Sequence, residues 1–218
     1  MPKLKSKPKA IIFDMDGVII DSMPYHFLAW YEALRPYGVR VSCFDVYSKE
    51  GEKWNDTLKD LFIRSGIKPS LKLLREVFIQ RQKIFKKLFQ RFVFSGAEKL
   101  LASLKGQGYA LGLVTGTPKN EVDLILPLKI ISLFKVIVSG DQVKKGKPDP
   151  EPYLRAAGLF GLSPSSCLVI ENAPLGIESA KRAGMSCVAI TTSLPKEYLK
   201  KADLIINKLQ EIPSLIKA

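Results

Sequence analysis

Residues 11–22 read IIFDMDGVIIDS. Two carboxylates, Asp14 and Asp16, stand two residues apart at the end of an apolar run, and Gly17 follows at once. Like charges at that spacing repel each other unless a cation or a proton lies between them. The run reads as a buried strand whose carboxyl end delivers two acids into a turn, so the surrounding chain has to supply their compensation.

Outward from this strand the pattern repeats. Short Val- and Ile-rich runs at Ala10–Phe13, Ala110–Val114, Val136–Val138, Leu168–Ile170, Val188–Thr191 and Leu204–Ile206 read as strands. Between them, Gly96–Leu104, Asn120–Leu126, Pro152–Leu159 and Leu175–Ala183 carry apolar residues at helical spacing, with Pro118, Pro150 and Pro174 near the helix starts. Strand and helix in alternation predict an α/β fold, a doubly wound parallel sheet with helices on both faces. Ligands of such sheets collect at the carboxyl ends of the strands. Residues 21–93 break the alternation. His26–Leu34, Trp54–Ile63 and Leu71–Phe89 read as amphipathic helices with no strand between them. The expected organisation is therefore an α/β core of residues 1–20 and 94–218 and an inserted all-helical cap of residues 21–93. Its hinges fall near Asp21 and near Phe94, Ser95 and Gly96.

Composition sets the outer bounds. A chain of 218 residues with 46% hydrophobic and 25% charged residues is globular. No apolar run approaches the ~18 residues of a membrane span. The basic start MPKLKSKPK leads into an apolar stretch too short for a signal-peptide core, and the expectation is a cytoplasmic protein. Cys43, Cys167 and Cys187 form no paired motif and read as reduced, mostly buried thiols. The net charge of +13 raises the question of nucleic-acid binding. The lysines are scattered and no nucleic-acid motif accompanies them, so the charge reads as a solvated surface that attracts small anions. The basic tail and Lys86, Lys87 with Arg91 are the places where nucleic acid would bind if it did.

Four places gather chemistry at predicted strand ends. Asp14 can attack phosphorus, and Asp16 can give and take a proton; helix capping would explain one of these acids but not both. Thr115 in GLVTGTPKN offers a hydroxyl and loop amides to phosphate oxygens, or serves as a turn residue. Lys147 in KKGKPDP, held between Gly146 and Pro148, offers a positive charge. Glu171 and Asn172 add oxygen ligands that, with those of Asp14 and Asp16, suit Mg²⁺; a surface acid and a helix cap are the alternatives. A cation among them compensates the opening pair.

These residues, in this order, resemble the haloacid dehalogenase superfamily. FDMDGVIIDS is similar to its first motif, VTGT to its second, GKPDP to its third and VIENAPLG to its fourth. The helical insertion resembles the cap of the phosphatase and β-phosphoglucomutase branch. The resemblance implies Asp14 as nucleophile and Asp16 as general acid and base, with Thr115 and Lys147 orienting the phosphoryl group. It also implies Mg²⁺ held by Asp14, the Asp16 carbonyl, Asn172 and Glu171. An aspartate at the first position implies phosphoryl transfer in place of dehalogenation. Many relatives carry a second acid where Asn172 stands.

The cap then sets the substrate. Glu50, Gly51 and Trp54 in KEGEKWNDTL are the leading candidates, joined by Lys83, Gly116, Asn120 and His26, the chain's one histidine. Mutases of the branch carry a basic residue three positions after the glycine, where this chain has Trp54. The expectation is a monomeric, Mg²⁺-dependent phosphohydrolase of small phosphorylated metabolites acting through an aspartyl phosphate. Inorganic pyrophosphatase and hexose-phosphate mutase are the alternatives, and a basic anion- or nucleic-acid-binding protein is the alternative outside enzymes.

Overall fold

The computed structural model describes residue 4 and residues 7–216. Most of the basic N-terminal tail, residues 1–3 and 5–6, lies outside the described residues, as do residues 217–218. In chain order, β1 (Ala10–Phe13) is followed by α1 (Met23–Leu34), α2 (Cys43–Tyr47), α3 (Trp54–Arg64) and α4 (Leu71–Leu88). Then come α5 (Ala97–Gly106), β2 (Ala110–Val114), α6 (Lys119–Ile125), α7 (Leu128–Ile131), β3 (Val136–Val138) and α8 (Glu151–Phe160). The chain continues through β4 (Cys167–Glu171), α9 (Pro174–Arg182), β5 (Ser186–Ile190), β6 (Leu204–Ile206) and α10 (Ile212–Ile216).

The six strands form one parallel sheet in the order β3-β2-β1-β4-β5-β6. Successive residues of β1 serve opposite faces, as the two-residue period requires. Ile11 and Phe13 join one apolar cluster, with Leu101 of α5 and Ile125 of α6. Ala10 and Ile12 join another, with Tyr153 of α8 and Ile177 of α9. Burial on both faces is why these strands read as continuous apolar runs. The connections run to one side of β1 through β2 and β3, then cross to β4 on its other side. That reversal opens a crevice at the carboxyl ends of β1, β2 and β4.

The helices between β1 and α5 have an apolar cluster of their own, built on Trp30, Leu34, Leu58, Phe62, Leu74 and Val77. Their ends are well specified. Ser70 caps α4 by accepting from the Leu73 N–H at 3.1 Å, and Ser42 with Asp45 forms a capping box on α2. The two segments joining these helices to the sheet run side by side: the Asp21 N–H donates to the Phe92 carbonyl at 2.8 Å and the Phe94 N–H to the Ile19 carbonyl at 3.0 Å.

Four predicted strands match to the residue. β4 is longer than Leu168–Ile170, so Glu171 ends the strand instead of following it, and β5 begins two residues before Val188 and stops before Thr191. The short helices α2, α7 and α10 were not expected, since four or five residues show too little of a helical period. Cys167 and Cys187 are buried but Cys43 is exposed, because it opens α2 at the surface. Among the described residues no helix is long and apolar enough to cross a membrane.

Candidate active site

The residues just past β1 and β2 are pinned by ladder bonds. The Asp14 N–H donates to the Ile170 carbonyl at 2.9 Å, and the Thr115 N–H to the Val138 carbonyl at 3.0 Å. Gly17 then turns the chain with φ +82°, and a side chain there would also strike the Asn172 amide and the Ser193 hydroxyl. Only glycine meets both requirements. Asp14, Asp16, Glu171 and Asn172 are all completely buried.

Lys147 lies across the crevice, 2% exposed, with its ammonium donating to Asp14 Oδ1 and Glu171 Oε1, each at 2.6 Å. Glu171 Oε1 also accepts from the Tyr153 hydroxyl at 2.8 Å, and Oε2 from the Asn172 and Ala173 N–H groups at 2.8 and 3.1 Å. Burial pushes Asp14 well above the usual carboxylate range against the pull of Lys147. Burial also opposes the Lys147 charge, but Asp14 and Glu171 outweigh it and hold the ammonium above the ordinary lysine range.

Asp16 has a separate set of partners. Its Oδ1 accepts from the Ser22 hydroxyl at 2.5 Å and meets His26 Nε2 at 2.9 Å. Its Oδ2 accepts from the Thr117 hydroxyl at 2.9 Å and the Thr115 hydroxyl at 3.3 Å. Burial works to raise Asp16, but His26, Ser22 and Thr117 outweigh it and bring it down to about 2. These contacts hold Asp16 in its ionised form. His26, stacked on Phe85 at 4.5 Å, also meets the Arg81 guanidinium, which pairs with Glu121 at 3.1 Å. A buried chain of polar contacts therefore runs from the turn after β1 through α1 and α4 to α6.

A cavity of about 190 Å³ adjoins this cluster. His26, Glu50, Gly51, Trp54 and Gly116 line it, together with Arg81, Lys53 and Thr117. Trp54 is backed by Phe78, ring on ring at 4.3 Å and 12°. Burial and the Asp16 charge raise Glu50 to about 7, although His26 and Lys147 pull the other way. Lys83 and Asn120 are not part of this cavity. Both are exposed and line a separate outer groove with Lys86 and Leu124. The spacing on α4 explains the correction: Leu74, Val77, Arg81 and Phe85 form its buried stripe, and Lys83 lies two residues, or ~200°, round the helix from Arg81. A charged residue inside an apolar stripe was the available signal, and it pointed to Arg81.

Among the described residues two buried side-chain oxygens lack any hydrogen-bond partner, Asp14 Oδ2 and Asn172 Oδ1. Leaving such atoms unpaired is unfavourable, and a hard cation that keeps several waters would satisfy both. The donor set therefore fits Mg²⁺. Among the described residues no group of three acids, histidines or cysteines gathers round one point, and the unpaired oxygens belong to one carboxylate and one amide. Glu171 is not free for this role, since four donors already occupy its oxygens.

A doubly wound sheet with a buried acid pair, a lysine bridge and a cation-seeking pair of oxygens at its switch point defines a hydrolase-type α/β site. The chain belongs to the haloacid dehalogenase-like hydrolase family, whose model matches residues 11–190. It is 30% identical to β-phosphoglucomutase of Bacillus subtilis over 94% of this chain and 91% of that protein. It is 32% identical to the phosphorylated carbohydrates phosphatase of Thermotoga maritima over 96% and 98%. The crystal structure of β-phosphoglucomutase from Clostridium difficile superposes with a TM-score of 0.85 at 26% identity, covering 96% of this chain and 97% of that one.

Proposed function

We propose that the chain is a Mg²⁺-dependent phosphohydrolase of small phosphorylated metabolites, working through an aspartyl phosphate. The observation that carries this reading is the buried Lys147 bridge between Asp14 and Glu171 beside the two unpaired oxygens of Asp14 and Asn172. It leaves one carboxylate compensated, fixed and facing a cation site, as a nucleophile toward phosphorus requires.

Asp14 attacks the phosphorus and the bond to the leaving oxygen breaks, with protonated Asp16 supplying that oxygen's proton. Ionised Asp16 then takes a proton from water, which attacks the phosphoryl group and returns Asp14 as phosphate leaves. Four donors favour the ionised form of Asp16, so this side chain is set for the second step and must acquire a proton for the first. Lys147 holds Asp14 in place and faces the phosphoryl oxygens. Glu171 positions Lys147. Asp14, the Asp16 carbonyl and Asn172 would hold Mg²⁺, which supplies positive charge against the phosphoryl group when bound. The helices of residues 21–93 act as a cap that excludes bulk water. The three free thiols support a reducing, cytoplasmic setting, and we retain the reading of a monomer.

Transfer of a phosphate between sugar positions is the second reading, favoured by the β-phosphoglucomutase relatives. It requires a grip on a second phosphate. The cations lining the cavity are already engaged: Lys49 with Asp60, Lys53 with two carbonyls and Arg81 with Glu121. This supports hydrolysis over transfer.

The test is phosphate release with Mg²⁺ or EDTA across pyrophosphate, phosphoglycolate, hexose and pentose phosphates and nucleotides. Mg²⁺-dependent release from a monoester is expected; silence together with isomerisation of β-glucose 1-phosphate would replace hydrolase by mutase. Mg²⁺ alone should raise the melting temperature by several degrees at saturation, since a ligand at ~100 Kd adds about 2.7 kcal/mol. Asn172→Ala, which also loses the bond from its amide to the Ser193 hydroxyl, should lose most of that rise when measured from its own metal-free melting temperature, and an undiminished rise would remove Asn172 from the metal site.

Glu50 predicts a pH effect. It is neutral below about 7 and charged above, so a dianionic substrate meets growing repulsion as pH rises through that value. kcat/KM should fall on the alkaline side of neutrality, and Glu50→Gln should flatten that limb. An unchanged limb in the variant would assign it to another group.

A further inference from the structure

We infer that Lys53 is the positioning residue that latches the helical cap onto the core and so sets Glu50 and Trp54 over the nucleophile. The inference rests on the phosphohydrolase reading for its kinetic arm alone. Lys53 sits at the head of α3, where no side-chain cap closes the helix. Its ammonium reaches across to the loop after β3 and donates to the Gly140 carbonyl at 2.6 Å and the Val143 carbonyl at 2.7 Å. No carboxylate within ion-pair reach claims it among the described residues. A long cationic side chain held by two carbonyls from a distant segment is spent on joining two bodies, not on solvation.

The backbone around it is shaped for the same contact. The Lys147 N–H donates to the Gly51 carbonyl at 3.1 Å, which ties the cap loop directly to the residue bridging Asp14 and Glu171. A side chain on Gly116 would come within 2.7 Å of the Gly51 Cα, and one on Gly146 within 3.0 Å of the Gly51 carbonyl oxygen and 3.1 Å of the Lys53 nitrogen. Three glycines thus let the cap loop meet two core loops main chain to main chain, and Lys53 is the side chain that clamps the junction. Because Glu50 and Trp54 flank this clamp, its strength decides how much of the time they face the phosphoryl site.

The experiment compares wild type, Lys53→Met and Lys53→Arg. A charge-assisted hydrogen bond shifts a closing equilibrium by roughly ten- to a hundredfold. Small-angle scattering without substrate should show Lys53→Met expanded and Lys53→Arg restored, since arginine keeps the donors. For a hexose monophosphate, kcat/KM should fall about tenfold or more in Lys53→Met and return to within about threefold in Lys53→Arg. Acetyl phosphate, which reaches few cap residues, should lose clearly less than the hexose monophosphate in Lys53→Met, about threefold or under. Unchanged scattering and kinetics in Lys53→Met would overturn the latch. So would equal losses on both substrates with a lowered melting temperature, which would mark a merely structural lysine. If wild type releases phosphate from nothing, the hydrolase reading falls, while the scattering arm still decides the latch.

Discussion

Asp14→Asn is expected to abolish phosphate release, by at least about a thousandfold, while the protein keeps its fold. The amide that replaces the carboxylate has nearly its shape but cannot form the acyl phosphate. The fold should tolerate the exchange for a reason visible in the site. Burial already disfavours the ionised form of Asp14, so removing its charge relieves a cost, and Lys147 keeps Glu171 at 2.6 Å as its counter-ion. Melting temperature should therefore stay within a few degrees of wild type, while the Mg²⁺-induced rise shrinks, because a neutral oxygen binds the cation more weakly. The decisive comparison is phosphate release under Mg²⁺ saturation alongside acid-stable trapping of a phosphorylated chain, with circular dichroism as the control for folding. Surviving turnover in a folded Asp14→Asn protein would move the nucleophile elsewhere.

The legible part of this site follows from sequence distance. Asp14, Thr115 and Asn172 each stand within one residue of a strand end, so once the strands are read their place at the carboxyl rim is fixed. The sheet was readable for the same reason, because strands buried on both faces declare themselves as unbroken apolar runs. What stayed hidden depends on which helix faces meet across the chain. His26 lies 55 residues from Arg81, and Arg81 lies 40 from Glu121. A helical period gives each residue's angle on its own helix, but not which helix it will face. Lys53, which reaches carbonyls 87 and 90 residues away, gave no local signal at all. The role of Glu171 turned on a similar point: composition suggested a ligand, whereas Tyr153, Lys147 and two backbone N–H groups had taken its lone pairs. Residue type limits what a group can do, and its occupied partners decide what it does.

Lys147→Met should be the most destabilising single change in the site. Methionine preserves most of the volume but removes the charge, leaving Asp14 and Glu171 buried with no cation between them. Breaking a buried pair in this way costs about 3–5 kcal/mol, or roughly 10 °C in melting temperature for a chain of this size. The pH dependence separates this account from simple loss of packing. Asp14 is a carboxyl whose folded pKa is raised above its unfolded value, and losing Lys147 raises it further. Such a group favours the fold when protonated, so its penalty is absent below the unfolded pKa and grows as pH climbs through the folded one. The gap between Lys147→Met and wild type should hence be widest at pH 8 and should narrow on acidification toward pH 5. Wild type weakens over the same window by less, because its Asp14 is raised too but the Lys147 ammonium stays protonated throughout and pulls it down. Saturating Mg²⁺ should close part of the gap at pH 8 by compensating Asp14, although phosphate release should remain at least about a hundredfold down without the ammonium. Thermal melts of both proteins from pH 5 to 8, with and without Mg²⁺, check each step. A gap independent of pH and metal would mean that Lys147 contributes through its hydrocarbon stem and not as the counter-ion of the two acids.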